Sequence, residues 1–247
     1  MKSPNLNEEK KLWRKGYKRV ACLDEVGRGC LAGPVMAAAV CANLKFASLY
    51  LNFKLARRIK DSKKLTPKKR EEFYKILTKN SNIKWGLGRV SEKVIDKINI
   101  LEATKLAMEK AVKNLNCKID HPSRAEAKRT TFSSSPSLLL RKSSVGEDER
   151  KFIDQLILDG NMKINLPIPQ KSIVKADEKV FSVALASIIA KVTRDRLMSK
   201  YAKKFPAYGF EKHKGYATKL HLAKLKKHGP CKIHRKSFRP IKTCKLK

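Results

Sequence analysis

The apolar residues of this chain fall into two rhythms. Short, nearly continuous apolar runs at 18–23 (KRVACL) and 34–42 (PVMAAAVCA) suit strands, the second buried on both faces. The glycine-punctuated Gly27-Arg28-Gly29 lies between them, so the pair predicts an antiparallel hairpin with Asp24 and Glu25 near its mouth. Residues 83–90 (IKWGLGRV), 152–158 (FIDQLIL) and 172–176 (SIVKA) predict three more strands, the last two delivering Asp159 and Asp177 at their ends. Elsewhere the spacing is helical. Thr66 and Pro67 supply an N-cap and a first-turn proline for KKREEFYKILTKN. Ser91 caps a short helix, SEKVIDKI, and a longer one follows over 99–114 with Leu101, Thr104, Met108, Ala111 and Val112 on its apolar side. From Glu178 to Lys203 the pattern is helical again, and its first half, VFSVALASIIAKV, is apolar nearly all round, as in a buried helix. Beyond Phe205 the chain is basic, broken by Gly209, Gly215 and Gly229, with one further helix over 216–228.

This order predicts one α/β domain over 17–205, a mixed sheet flanked by helices, followed by a small basic helical C-terminal portion over 206–247. Residues 1–16 read as a polar tail. Residues 118–150 are Ser-rich and Arg/Lys-rich without periodicity, which predicts a mobile insertion. The longest nearly apolar run, Leu31 to Ala42, is interrupted by Gly33 and Pro34 and is too short to span a bilayer. The charged N-terminus has no apolar core of a secretory signal, so a cytoplasmic protein is expected.

Charge narrows the partner. The chain holds 58 Lys+Arg against 22 Asp+Glu, a formal net charge of +36 in 247 residues. So much like charge repels itself in a compact fold, and a polyanion, nucleic acid before a membrane surface, is the natural counterpart. A lysine-rich proteome is the plain alternative. The six cysteines include no CxxC pair, and three sit among small or apolar residues as buried free thiols do. His228, Cys231 and His234 gather three metal-ligand types but lack a fourth at zinc spacing, so a chance cluster in a basic tail is the favoured reading.

Against that background, four acids stand out. Asp24, Glu25, Asp159 and Asp177 each follow a strand-like run, and strand ends are where α/β folds place their chemistry. Converging carboxylates repel unless cations neutralise them. Hard divalent ions accept all-oxygen ligation, and a pair of them serves phosphodiester hydrolysis. Consecutive strand residues point to opposite faces, so Asp24 and Glu25 share a site only if the strand breaks there. The alternative is four surface acids balancing nearby lysines.

Several segments together resemble the bacterial ribonucleases HII: DEVGRGCLAGPV at 24–35, DSKKLTPKKRE at 61–71, ILDGN at 157–161, KADEKVFSVALASIIAKVTRD at 175–195, HKGYATKLH at 213–221 and HRKSF at 234–238. The resemblance covers about 17–117 and 151–240, in matching order. It implies a ribonuclease H-like fold and an endonuclease acting on RNA–DNA hybrids and on ribonucleotides embedded in duplex DNA. It implies Mg²⁺ or Mn²⁺ held by Asp24, Glu25, Asp159 and Asp177, and 5′-phosphate and 3′-hydroxyl products. It also implies a junction-reading turn at Gly27, Arg28 and Gly29, whose backbone meets a ribose 2′-hydroxyl, with Tyr216 stacked on the neighbouring deoxyribose. Lys63 and Lys64 resemble the family's phosphate-facing residues. Family members commonly have Gly before the fourth acid, where Ala176 stands here, which raises the question of backbone freedom. Arg194 and Asp195 read as structural charge partners. A monomer is expected; a sliding clamp is a conceivable partner, but PIKTCKLK at the C-terminus holds no clear clamp-binding peptide. The rivals are a ribonuclease HIII, disfavoured because only 23 residues precede Asp24, and a non-catalytic basic nucleic-acid binder, disfavoured by the retained acids.

Overall fold

The computed structural model describes residues 4–43, 65–80, 83–115, 118–119 and 152–243. Strands β1 (Arg19–Val26) and β2 (Val35–Asn43) form the expected antiparallel pair, and β3 (Lys84–Val90) adds antiparallel to β2. A short pair, β4 (Lys118–Ile119) and β5 (Phe152–Ile153), runs parallel at the base of the sequence insertion. Strand β6 (Gln155–Asp159) joins β1 in parallel, and β7 (Gln170–Ile173) joins β6, giving a mixed five-stranded sheet in the order β3-β2-β1-β6-β7.

Period-two alternation along β2 explains the layers. Ala37, Ala39 and Cys41 face a core shared with helix α3 (Glu92–Lys113). Met36, Ala38 and Val40 face the opposite core, shared with α2 (Pro67–Lys79) and the buried helix α5 (Phe181–Lys204). Alanines at the sheet centre let both helices come close. Thr66 caps α2 as expected, accepting the Lys69 amide at 3.3 Å. The two helices expected around residue 99 are one helical run with a break at Asn99 (φ 65°), whose Oδ1 accepts the amides of Leu101 and Glu102 and so caps the second part.

Two expectations are corrected. The polar N-terminal segment is not wholly a tail. Helix α1 (Asn7–Arg14) buries Leu12 and the carboxyl of Glu9, and Glu9 accepts the Ser182 amide (3.0 Å) and hydroxyl (2.8 Å) at the start of α5. The segment looked polar because its docking rests on few apolar residues and one buried acid. Asp177 does not close a strand either: β7 stops at Ile173, and Asp177 lies in a single helical turn, α4 (Ala176–Lys179).

The C-terminal portion holds a 3₁₀ turn (Pro206–Tyr208), α6 (Phe210–His213) and α7 (Lys219–His228). Tyr208, Phe210 and Ile233 pack with Met198 of α5 and with Ala32, just beyond the β1 turn. Cys22, Cys30 and Cys41 are buried free thiols, while Cys117 and Cys244 lie outside the described residues. So does the bulk of the insertion, 120–150. No helix among the described residues is long and apolar enough to cross a membrane.

Candidate active site

The sheet opens where pairing stops. The parallel register of β1 with β6 ends at Leu23–Leu158, whereas β1 continues beside β2 to Val26–Met36. Residues 24–26 therefore have a free edge on the β6 side. Asp24 and Glu25 reach one cleft although β1 does not break between them, contrary to the expectation that it must. It is the sheet that parts.

The cleft, about 430 Å³, is lined by Asp24, Glu25, Asp159 and Asp177, by Gly27, Arg28 and Gly29, and by Tyr216. All the predicted site residues except Lys63 and Lys64 thus come together; those two lie outside the described residues. Arg70, Ser187 and Lys191 also line it. Sequence reasoning gave these three no role. Ser187 carried one faint signal, a hydroxyl within an apolar helical run.

Each acid is held by its own element. Asp24 is buried, and its Oδ1 accepts the Glu25 amide at 2.7 Å. Burial and then the adjacent Glu25 push the Asp24 carboxyl well above its usual range, against a hydrogen bond from Ser187, with Asp159 and Asp177 adding further repulsion. Burial also raises Glu25, partly offset by Arg28, whose guanidinium lies 3.1 Å from Oε1. Asp159 ends β6, and its Oδ1 accepts the Ala176 amide at 2.6 Å, tying it to the turn that carries Asp177. That answers the question raised by Ala176. The left-handed residue here is Lys175 (φ 57°), so position 176 has no need of glycine.

Among the described residues no three His, Cys, Asp or Glu side chains are already closed into a ligating cluster. The donor set still suits hard cations. Its acids repel one another, and Glu25 Oε2 is buried without a hydrogen-bond partner among the described residues. His228, Cys231 and His234 form no metal cluster among the described residues; His234 instead accepts the Cys231 amide and meets His221 Nε2 at 3.1 Å.

In the same cleft, Tyr216 is 37% exposed, with Lys191 Nζ 5.5 Å from its ring centre. Lys191 pairs with Asp195 at 2.9 Å. Arg194 corrects the expectation of a charge partner: it is fully buried and donates to the carbonyls of Pro34, Lys214 and Ala32.

A mixed sheet in this strand order, with acids gathered where β1 and β6 part, defines a ribonuclease H-like protein with a carboxylate cleft. Comparison with known proteins agrees. Residues 21–241 match the family model described as Ribonuclease HII. The chain is 41% identical over 233 residues to a Ribonuclease HII of Alkaliphilus metalliredigens, covering 94% of this chain and 96% of that one. The ribonuclease H2 of Pyrococcus horikoshii superposes with a TM-score of 0.61 at 25% identity, over 91% of this chain and 96% of that chain. Bst-RNase HIII, solved in complex with Mn²⁺, shares the fold at a TM-score of 0.57 and 14% identity, over 92% of this chain and 68% of that one. The chain belongs to the ribonuclease HII family, and it is a hydrolase, an endoribonuclease.

Proposed function

We propose that the cleft hydrolyses the RNA strand of RNA–DNA hybrids and cuts at single ribonucleotides in duplex DNA, leaving 5′-phosphate and 3′-hydroxyl ends. The supporting observation is the pairing of four carboxylates with a glycine-bearing backbone and an exposed tyrosine ring across one cleft. Asp24, Glu25, Asp159 and Asp177 would hold two divalent ions, Mg²⁺ or Mn²⁺. When bound, the ions supply an activated water and neutralise charge on the departing 3′-oxygen. Arg28 keeps Glu25 oriented through their ion pair, and the Ala176 amide keeps Asp159 oriented. Lys191 and Arg70 bring positive charge to the phosphate side of the cleft. The Gly27–Gly29 backbone approaches the ribose, whose 2′-hydroxyl separates RNA from DNA. Tyr216 offers its ring to the neighbouring sugar. The excess of basic residues favours the duplex backbone in general.

The test is a DNA duplex with one embedded ribonucleotide, incubated with Mg²⁺ or Mn²⁺ beside an Asp24→Asn control. Metal-dependent cutting on the 5′ side of the ribonucleotide, lost in the control, is the expected result. Binding without cleavage, or cleavage unchanged in Asp24→Asn, overturns the reading.

A further inference from the structure

Two arginines stand behind the junction-reading turn, both fully buried, and each spends three N–H bonds on main-chain carbonyls. Arg235 donates to Gly27 O (2.6 Å), Arg28 O (2.7 Å) and Gly33 O (3.0 Å). Arg194 donates to Pro34 O (3.0 Å), Ala32 O (3.0 Å) and Lys214 O (2.9 Å). Neither forms an ion pair with a described residue. Buried charge without a directly paired carboxylate is costly, so the carbonyl contacts must be well made to hold it.

The peptide unit turns this into a directional effect. In a trans peptide the C=O of one residue and the N–H of the next point oppositely. Arg235 draws the Gly27 and Arg28 carbonyls inward, so the Arg28 and Gly29 amides face the other way, toward the cleft they line. Neither amide has a hydrogen-bond partner among the described residues. A Cβ added at Gly29 would meet nothing within 4 Å, so the fold's own packing does not demand glycine there and the backbone lies open to a ligand.

Arg235 is itself well anchored. The Arg235 amide donates to Leu31 O, the next two amides bind the carboxylate of Asp96, and the Phe238 ring lies 5.0 Å from its Cζ. Arg194, reaching Lys214 O, ties the Tyr216 segment to the same turn.

We propose that Arg235 is a positioning residue for sugar recognition. Its guanidinium aims the Arg28 and Gly29 amides at the ribose oxygen, and Arg194 keeps Tyr216 in register with them. This rests on the hybrid-nuclease reading above. A lysine at 235 keeps the charge but cannot serve three carbonyls with a planar fork.

The experiment measures binding in EDTA to two duplexes that differ by a single 2′-hydroxyl. Wild type should prefer the ribonucleotide duplex. Arg235→Lys should lose about tenfold of that preference, the scale of one or two misdirected hydrogen bonds, while its affinity for the all-DNA duplex stays within about twofold. Equal weakening on both duplexes would be general damage and overturns the proposal, as does a retained preference. A wild type that cleaves with metal but shows no preference sinks the positioning role alone; one that neither cleaves nor discriminates sinks both readings. If Arg235→Lys does not fold, isotope-labelled wild type decides. The Arg28 and Gly29 amide resonances should move with the ribonucleotide duplex and not with all-DNA, and their indifference to both overturns the proposal.

Discussion

Gly27 and Gly29 flank one arginine in the same turn, yet alanine should act on them in opposite ways. At Gly27 the backbone has φ +90°, and a Cβ would lie 2.3 Å from Arg194 Nε. The left-handed backbone alone costs an alanine about 1–2 kcal/mol. Displacing the Arg194 guanidinium leaves the carbonyls it serves short of donors, at about 1–3 kcal/mol for each buried group stranded. A loss of about 3–4 kcal/mol is the result, a large share of the roughly 5–15 kcal/mol that holds a domain together. At about 2–4 °C per kcal/mol for a chain of this size, the melting temperature should fall by about 10 °C. At Gly29 a Cβ meets nothing within 4 Å, so Gly29→Ala should melt within about 0.5 kcal/mol of wild type. Gly29 nevertheless lines the cleft, so an added methyl takes room from a closely approaching substrate, and kcat/KM on a ribonucleotide-containing duplex should drop by about tenfold or more. Thermal melts and steady-state cleavage on both variants are the assay. A Gly29→Ala enzyme with full activity would refute the idea that substrate approaches that backbone; a Gly27→Ala protein as stable as wild type would refute the close packing of Arg194 against Gly27.

Asp24→Asn removes one charge from a buried, mutually repelling set, so in EDTA the variant should melt above wild type, while cleavage falls by roughly a hundredfold or more. Divalent metal at about a hundred times its Kd should stabilise wild type by about 2.7 kcal/mol and Asp24→Asn far less, as read by melts with and without Mn²⁺. Burial raises Glu9 from 4.5 to about 6, so the folded state holds the extra proton. Its destabilising effect is absent below pH 4.5, grows as pH rises and is complete above about pH 6, amounting to about 2 kcal/mol. The stability of Glu9→Gln relative to wild type should therefore climb by that amount across this window in denaturant titrations, and a flat difference would contradict the burial argument. Arg70→Ala should make the dependence of log K on log salt shallower by about 0.9 for one lost phosphate contact, measured by titrating duplex binding against salt.

The residue types that carry the chemistry were legible in the linear chain, because a strand's end and a run of small apolar residues are local signals. The β1–β2 hairpin, the buried α5 and the cap of α2 follow from spacing alone, and family motifs picked out Asp24, Glu25, Asp159, Asp177 and the Gly-Arg-Gly turn. Three things were not local. Whether Asp24 and Glu25 could share a cleft depended on where β6 leaves β1, a property of two strands more than a hundred residues apart. Helix α1 was passed over because its buried face carries few apolar residues, Leu6, Leu12 and Trp13, within a charged stretch, and the Glu9–Ser182 bonds that complete its docking form only in the fold. Arg194 read as a charge partner of Asp195, and Arg235 carried no role of its own within the HRKSF motif. Only the folded chain brings the backbone carbonyls of 27–34 and 214 around their guanidiniums, and a main-chain acceptor leaves no trace in residue identity. Sequence thus specified which groups could act, and the tertiary structure decided which way they face, because direction comes from hydrogen bonds between segments that only the fold makes neighbours.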